Sequence, residues 1–354
     1  MNKKKVLAVV AALTIAASLF AGCSKKSDNS GTTSDSTKKS SLKVGLSTDE
    51  SGINDKSFNQ SAHEGLQKAV KDFGVDYKYL ESKSADDYQS NLDSLVADGR
   101  QLIFGVGYQM ADTVGAEADK NKNTKFVIID SEVKKDNVVS YEFKANESSF
   151  LAGVVAAKAT KSNKIGFIGG KDGDLINAFE VGFEAGVQSV NPSATVKAIY
   201  VNSFGDASLG KTAAEQLIND NYDVIYHAAG QVGMGMFEAV KNANANGKKV
   251  WAIGVDMDQS KTAPQYADII LASALKRVDM ATYAATKSVI DNTFKGNTVV
   301  SLGLKEGGVD LAETHVDSAT ADLVKKYSDA IKADKIKVPA TKAEYKEFKP
   351  TTLQ

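Results

Sequence analysis

The sequence predicts an α/β protein built as two similar Rossmann-like lobes. Three observations predict it. Short apolar runs alternate with helical patterns from residue 42 onward, one plan recurs in the same order, and an aspartate closes the equivalent run in each copy, at Asp130 and Asp256. Strand–helix–strand alternation of this kind is the signature of parallel βαβ units.

The chain opens "MNKKKVLAVVAALTIAASLFAGC". Lys3, Lys4 and Lys5 form a basic start, and residues 6–20 form an apolar run too short for a comfortable bilayer span. Ala21 and Gly22 then precede Cys23, so residues 1–22 read as a secretory signal peptide. The "AGC" ending resembles a bacterial lipobox, although Phe20 stands where such signals commonly carry leucine. That resemblance implies a lipid on Cys23, which becomes the first mature residue. Residues 24–41 are Ser, Thr, Lys, Asp, Asn and Gly, a flexible tether without core-forming side chains. Cys23 is the only cysteine, which excludes an intrachain disulfide, a thiolate metal site and a cysteine nucleophile in the body. Without residues 1–22 the chain carries 40 basic and 44 acidic residues, a net of about −4. That balance gives no footprint for nucleic acid. The 313 residues from Leu42 to Gln354 suit two compact lobes.

In the first copy "LKVGLS" (42–47) is a strand. "SFNQSAHEGLQKAVKDFG" follows as a helix, with Phe58, Ala62, Leu66, Ala69, Val70 and Phe73 at helical spacing and Gly74 as its C-cap. "VDYKYLES", "QLIFGVG" and "TKFVIIDS" are further strands, separated by the helices "YQSNLDSLVADG" and "MADTVGAEADKN". The second copy runs "NKIGFIGG", "INAFEVGFEAGVQSV", "TVKAIYVNS", "LGKTAAEQLINDNYDVIYHAAG" and "GKKVWAIGVDMD". Chain crossings between lobes are expected near 141–149, 270–277 and 300–308. The expected lobes are 42–144 with about 275–300, and 145–272 with about 301–345, leaving 346–354 as a tail.

Ligands of open α/β sheets bind beyond the strand C-terminal ends. Two lobes facing each other place that site in the cleft between them. The loop "STDESGINDKSFNQ" carries one large aromatic, Phe58, and "YVNSFGDAS" carries Phe204. Alone, each is loop packing or a hydrophobic staple. Together, from opposing lobes, they form a clamp for a flat ligand, and a base stacked on an aromatic ring gains roughly 1–3 kcal/mol. The neighbouring groups are short acceptors and amides: Asp49, Ser51, Asn54, Asp55 and Asn59, then Asp130, Asp256 and Asp258, with Lys276 at a crossing. Carboxylates and amides bind hydroxyls and ring N–H groups, and a phosphate is badly placed among them. A neutral, planar, hydroxylated ligand such as a nucleoside fits best.

The stretches "DKSFNQSAHEGL", "NESSFLAGVVAAKATKSNKIGFIGG", "FEVGFEAGV" and "IGVDMDQ" resemble the basic membrane protein family of lipoproteins, the purine-nucleoside-binding proteins of ABC importers. The likeness runs from 42 to about 345. It implies a type I periplasmic-binding-protein fold, two Rossmann-like lobes joined by a multi-strand hinge. It also implies a base held between Phe58 and Phe204, and ribose contacts from Asp256 and Lys276. Asp49, Asn59 and Asp130 match further base or sugar contacts. Some members carry another aromatic contact near "GGKDGDLINAFEVG"; here the nearest ring is Phe179, which reads as core. The implied partners are a purine nucleoside (inosine, guanosine or adenosine), a membrane permease, and the membrane itself through the lipid. The expected protein is a monomer at the extracytoplasmic face, with no cofactor and no catalytic residues.

Two other readings compete. "IYHAAGQVGMGMFEAV" imitates a dinucleotide fingerprint, but Glu238 occupies the third glycine position, where helix–strand packing leaves no room for a side chain. His63, His227 and His315 are scattered and suggest no hydrolytic triad, with His227 near the expected cleft. Within binding functions, the alternative is a nucleoside or sugar sensor that presents its ligand to a signalling receptor.

Overall fold

A computed structural model describes residues 40–353. The expected signal peptide, Cys23 and residues 24–39 of the expected tether lie outside the described residues. In chain order the first part contains β1 (Lys43–Ser47), α1 (Phe58–Phe73), β2 (Asp76–Leu80), α2 (Asp87–Ala97), β3 (Leu102–Val106), α3 (Ala111–Lys120), β4 (Lys125–Ile129) and β5 (Val138–Phe143). The second contains α4 (Ala145–Ala159), β6 (Lys164–Gly169), α5 (Asp174–Val190), β7 (Thr195–Tyr200), α6 (Ala207–Asn219), β8 (Val224–Ala228), α7 (Val232–Ala245), β9 (Trp251–Asp256), α8 (Gln259–Thr262) and β10 (Ile270–Lys276). The chain finishes with α9 (Val278–Ile290), β11 (Thr298–Leu302), β12 (Val309–Glu313), α10 (Ser318–Lys332) and α11 (Lys342–Glu347).

Two six-stranded sheets result, in the orders β11-β5-β4-β3-β1-β2 and β12-β10-β9-β8-β6-β7. Position for position the orders are the same, so the repeat seen in the sequence is a repeat of topology. The sixth strands differ: β11 runs parallel to β5, whereas β12 runs antiparallel to β10. The central strands "LIFGV" and "VIYHA" are buried along their whole length. Helices cover both faces of such a sheet, which is why these runs are apolar without alternation. The sheet-edge strands β2 and β7 carry partly exposed residues instead.

α1 is amphipathic and ends at Gly74 (φ 68°), whose N–H bonds the carbonyl of Val70. α4 is different: nearly every residue from Ala145 to Ala157 is buried. It lies so close to α5 that a Cβ on Gly153 would sit 2.2 Å from the carbonyl oxygen of Phe183, and one on Gly186 would sit 2.0 Å from that of Phe150. Only glycine permits this backbone contact.

The chain passes between the sheets at Lys144, at Arg277 and through 303–308. These crossings are bonded to one another. The Lys144 N–H donates to the carbonyl of Leu302 at 2.9 Å, and the Arg277 N–H to that of Gly308 at 2.8 Å. All three leave the same edge of each sheet, the β5/β11 edge of one and the β10/β12 edge of the other.

Candidate ligand-binding site

The C-terminal ends of both sheets open into one cavity, with about 510 Å³ of empty space including its mouth. Asp49 and Ser51 line it from the loop after β1, Phe58 from the first position of α1, Tyr108 and Gln109 from the segment after β3, and Asp130 from the end of β4. The other sheet contributes Phe204, Gly230, Asp256 and Lys276, with Leu175, Ile176 and Phe179 from α5.

The loop after β1 is organised by Asp55. Its carboxylate accepts from the backbone N–H groups of Ser57 (2.9 Å), Asn59 (2.9 Å) and Gln60 (3.0 Å). These are donors a helix start leaves unpaired. Burial nevertheless pushes the Asp55 carboxyl up to about 7. Asn59 does not line the cavity. It is fully buried behind the loop, and its amide donates to Asp49 at 2.7 Å and to Asp55 at 3.1 Å. Its place is that of a support for Asp49. The Asp49 Oδ1 also accepts from the Ser51 N–H at 2.8 Å, which orients the carboxylate, and burial raises its pKa.

Asp130 and Asp256 occupy matching positions. Each follows the buried run of its strand in a left-handed conformation, at φ 66° and 62°. That geometry is uncommon for a residue with a side chain, though aspartate tolerates it. It turns each carboxylate toward the cleft. Asp130 Oδ2 pairs with the Lys276 ammonium, and Asp130 Oδ1 is a buried acceptor without a protein donor. Asp256 Oδ2 accepts from the Ser57 hydroxyl at 2.5 Å, and its Oδ1 lies 3.9 Å from the Lys276 ammonium. Burial pushes the Asp256 carboxyl up to about 6, against the attraction of Lys276.

Lys276 ends β10 and is 3 % exposed. Its ammonium lies 4.4 Å from the Phe58 ring centroid and 5.4 Å from that of Phe179. Phe179 is thus both buried and part of the cavity wall. The Phe204 ring lies against the backbone of Gly170, where a Cβ would come within 2.2 Å of the ring. Tyr108 meets Phe204 edge-on at 6.4 Å. Phe58 and Phe204 therefore face one cavity from opposite sheets.

His227 is not a wall residue. It is fully buried behind the site, its Nε2 is bonded to Gln259 Oε1 at 2.8 Å, and burial lowers its pKa to about 4. It stands in the core as a neutral ring. Among the described residues no cluster of His, Cys, Asp and Glu has the makings of a metal site.

The chemistry of the cavity is that of an acceptor-rich aromatic slot. Asp49, Asp130 and Asp256 face a single ammonium, so an anionic ligand meets net repulsion in a poorly screened space. Flat surfaces are offered by the phenylalanines, and hydrogen-bond donors on the ligand are met by the carboxylates.

A two-lobed α/β body with its cleft at the strand ends has the architecture of solute-binding proteins. The chain belongs to the family described as ABC transporter substrate-binding protein PnrA-like, which matches residues 42–342. It is 42% identical over 353 residues to the ABC transporter nucleoside-binding protein BmpA of Lactococcus lactis subsp. cremoris, covering 96% of this chain and 99% of the relative. It is 34% identical over 311 residues to Basic membrane protein A of Borreliella burgdorferi, covering 84% of this chain and 87% of the relative. A solved solute-binding protein of an ABC transporter system from Aeropyrum pernix superposes with a TM-score of 0.78 at 30% identity, over 86% of this chain and 96% of that one. The protein is a substrate-binding component and not an enzyme.

Proposed function

We propose that this protein captures a purine nucleoside between its lobes and delivers it to a membrane permease. One observation carries the reading: Phe58 and Phe204, from opposite sheets, line a single cavity whose polar wall consists of Asp49, Asp130, Asp256 and Lys276. The base stacks between the two rings. Asp256 and Lys276 hold the ribose, and Asp49 and Asp130 accept hydrogen bonds from the base or the sugar. The name of the Lactococcus relative, a nucleoside-binding protein, supports the same ligand class.

The moving bodies are residues 42–144 with about 275–300, and 145–272 with about 301–345. A ligand that bridges them favours the closed arrangement by its differential affinity for it. The closed monomer docks on the permease, and a separate ATPase supplies the energy of transport. A lipid on Cys23 keeps the protein at the extracytoplasmic face of the membrane. Among the described residues no helix is long and apolar enough to cross a membrane.

The test is calorimetry on protein stripped of carried-over ligand by unfolding and refolding. Guanosine, inosine and adenosine should bind tightly, cytidine weakly, and ribose not at all. Silence from every nucleoside by a folded protein would refute the reading.

A further inference from the structure

The two sheets meet at the cleft through a contact made by two charged side chains, Glu50 and Lys171, that do not line the cavity. Glu50, beside Asp49, reaches across from the loop after β1. Its Oε1 accepts the backbone N–H of Phe204 at 2.9 Å, and its Oε2 pairs with the Lys171 ammonium at 3.1 Å. The next residue completes the contact: the Ser51 hydroxyl donates to the Phe204 carbonyl at 3.1 Å. Phe204 is thus held on both backbone polar groups by one loop of the opposite lobe.

Position gives this contact its meaning. The crossings leave the β5/β11 edge of the first sheet, whereas β1 lies three strands further in. At about 4.8 Å per strand that is roughly 14 Å from β5. Phe204 follows β7, the strand at the far edge of the second sheet. The contact therefore spans the lip of the cleft, where any opening separates the lobes most. Glu50 is 17 % and Lys171 22 % exposed in their side chains, so the pair is shielded without being locked in the core.

We infer that Glu50 is a positioning residue that latches the closed lobes and sets Phe204 in place, making ligand residence depend on a side chain that touches no ligand. Closure brings the Glu50 carboxylate to the Phe204 N–H and to Lys171 in one movement. Opening breaks both bonds and releases the Phe204 loop. The inference rests on the nucleoside-capture reading for its ligand, but not for the latch itself.

The experiment has two arms on the full chain, with E50A, E50Q and K171M. Hydrogen exchange reads the Phe204 amide with and without guanosine. Stopped-flow reads guanosine association and dissociation. A hydrogen bond to a charged group is worth about a tenfold change or more. E50A should speed exchange at residues 203–205 and guanosine dissociation about tenfold, with association changed less than threefold. E50Q keeps an acceptor for the amide and should retain most of the amide's protection, while dissociation lies between wild type and E50A, near that of K171M. A residue that merely supported the fold would slow association and lower thermal stability as well. The latch is overturned if E50A leaves exchange and dissociation unchanged. It is equally overturned if the wild-type Phe204 amide is unprotected both with and without guanosine. A wild-type protein that protects this amide but ignores guanosine refutes the ligand and retains the latch.

Discussion

Asp256→Asn should make the protein more stable and less able to bind. The carboxylate is 6 % exposed and its pKa is raised by burial from 3.8 to about 6. A raised folded-state pKa means that the native protein holds this proton more tightly than the unfolded chain. The stability this group contributes therefore falls as pH rises from about 4 to about 6, and its loss is complete above that. A shift of about two units corresponds to ~3 kcal/mol. Asparagine carries no charge to desolvate and keeps an acceptor for the Ser57 hydroxyl. The variant should match wild type near pH 4 and exceed it by ~2–3 kcal/mol at pH 7.5. Unfolding entropy of about 2 cal/mol/K per residue over about 310 residues makes this a rise in Tm of ~3–5 °C. Scanning calorimetry from pH 4 to pH 7.5 measures the widening gap. Nucleoside affinity should move the other way, by about 10–100-fold, because a hydroxyl bonded to a carboxylate contributes ~1.5–3 kcal/mol. Free-base affinity should be spared. In the wild type, ligand donors favour the ionised carboxylate, so binding should weaken as pH falls below about 6. A Tm gap that does not depend on pH, or equal losses for base and nucleoside, would refute the reasoning.

Phe204→Ala should weaken guanosine and guanine alike, by ~1–3 kcal/mol per lost stacking contact, and calorimetry on both ligands distinguishes it from Asp256→Asn. Gly230→Ala should cost ~1–2 kcal/mol of stability from its φ of 56°. Its new methyl would also sit 2.6 Å from the Ser51 hydroxyl across the cleft, so affinity should fall at least tenfold, as titration calorimetry reads. Removing that hydroxyl with Ser51→Ala should restore part of the affinity. Cys23→Ala should move the protein from the membrane pellet to the soluble fraction and abolish labelling by radioactive palmitate.

Much of the architecture was legible because parallel strands covered on both faces are apolar at every position. "LIFGV" and "VIYHA" are buried along their length and almost wholly apolar, and the recurrence of such runs in the same order exposed the second copy. Asp130 and Asp256 were legible for a related reason: an acid closing a buried apolar run marks the end of a strand, where the sheet opens onto the cleft. Tyr108 was not. It follows Gly107, whose φ of 121° turns the chain into the cavity, and nothing in "GVGYQM" distinguishes that turn from the start of the next helix. Asn59 and Glu50 illustrate the limit from both sides. Glu50 stands in the polar loop after β1 and Asn59 just past its end, in the first turn of α1, and either could have faced a ligand. Tertiary geometry turns Asn59 inward to hold Asp49 and sends Glu50 across the cleft to the opposite lobe.

The three bonded crossings have a mechanical consequence. A single residue, Lys144, separates the end of β5 from α4, and α4 is seated on α5 through glycine backbone contacts. Such a joint has no backlash. Because Lys144 is tied to Leu302 and Arg277 to Gly308, the neighbouring spans must bend in unison, as pins of one door hinge. In the closure proposed above, a small rotation at this axle would be multiplied at the far lip by the length of the lever.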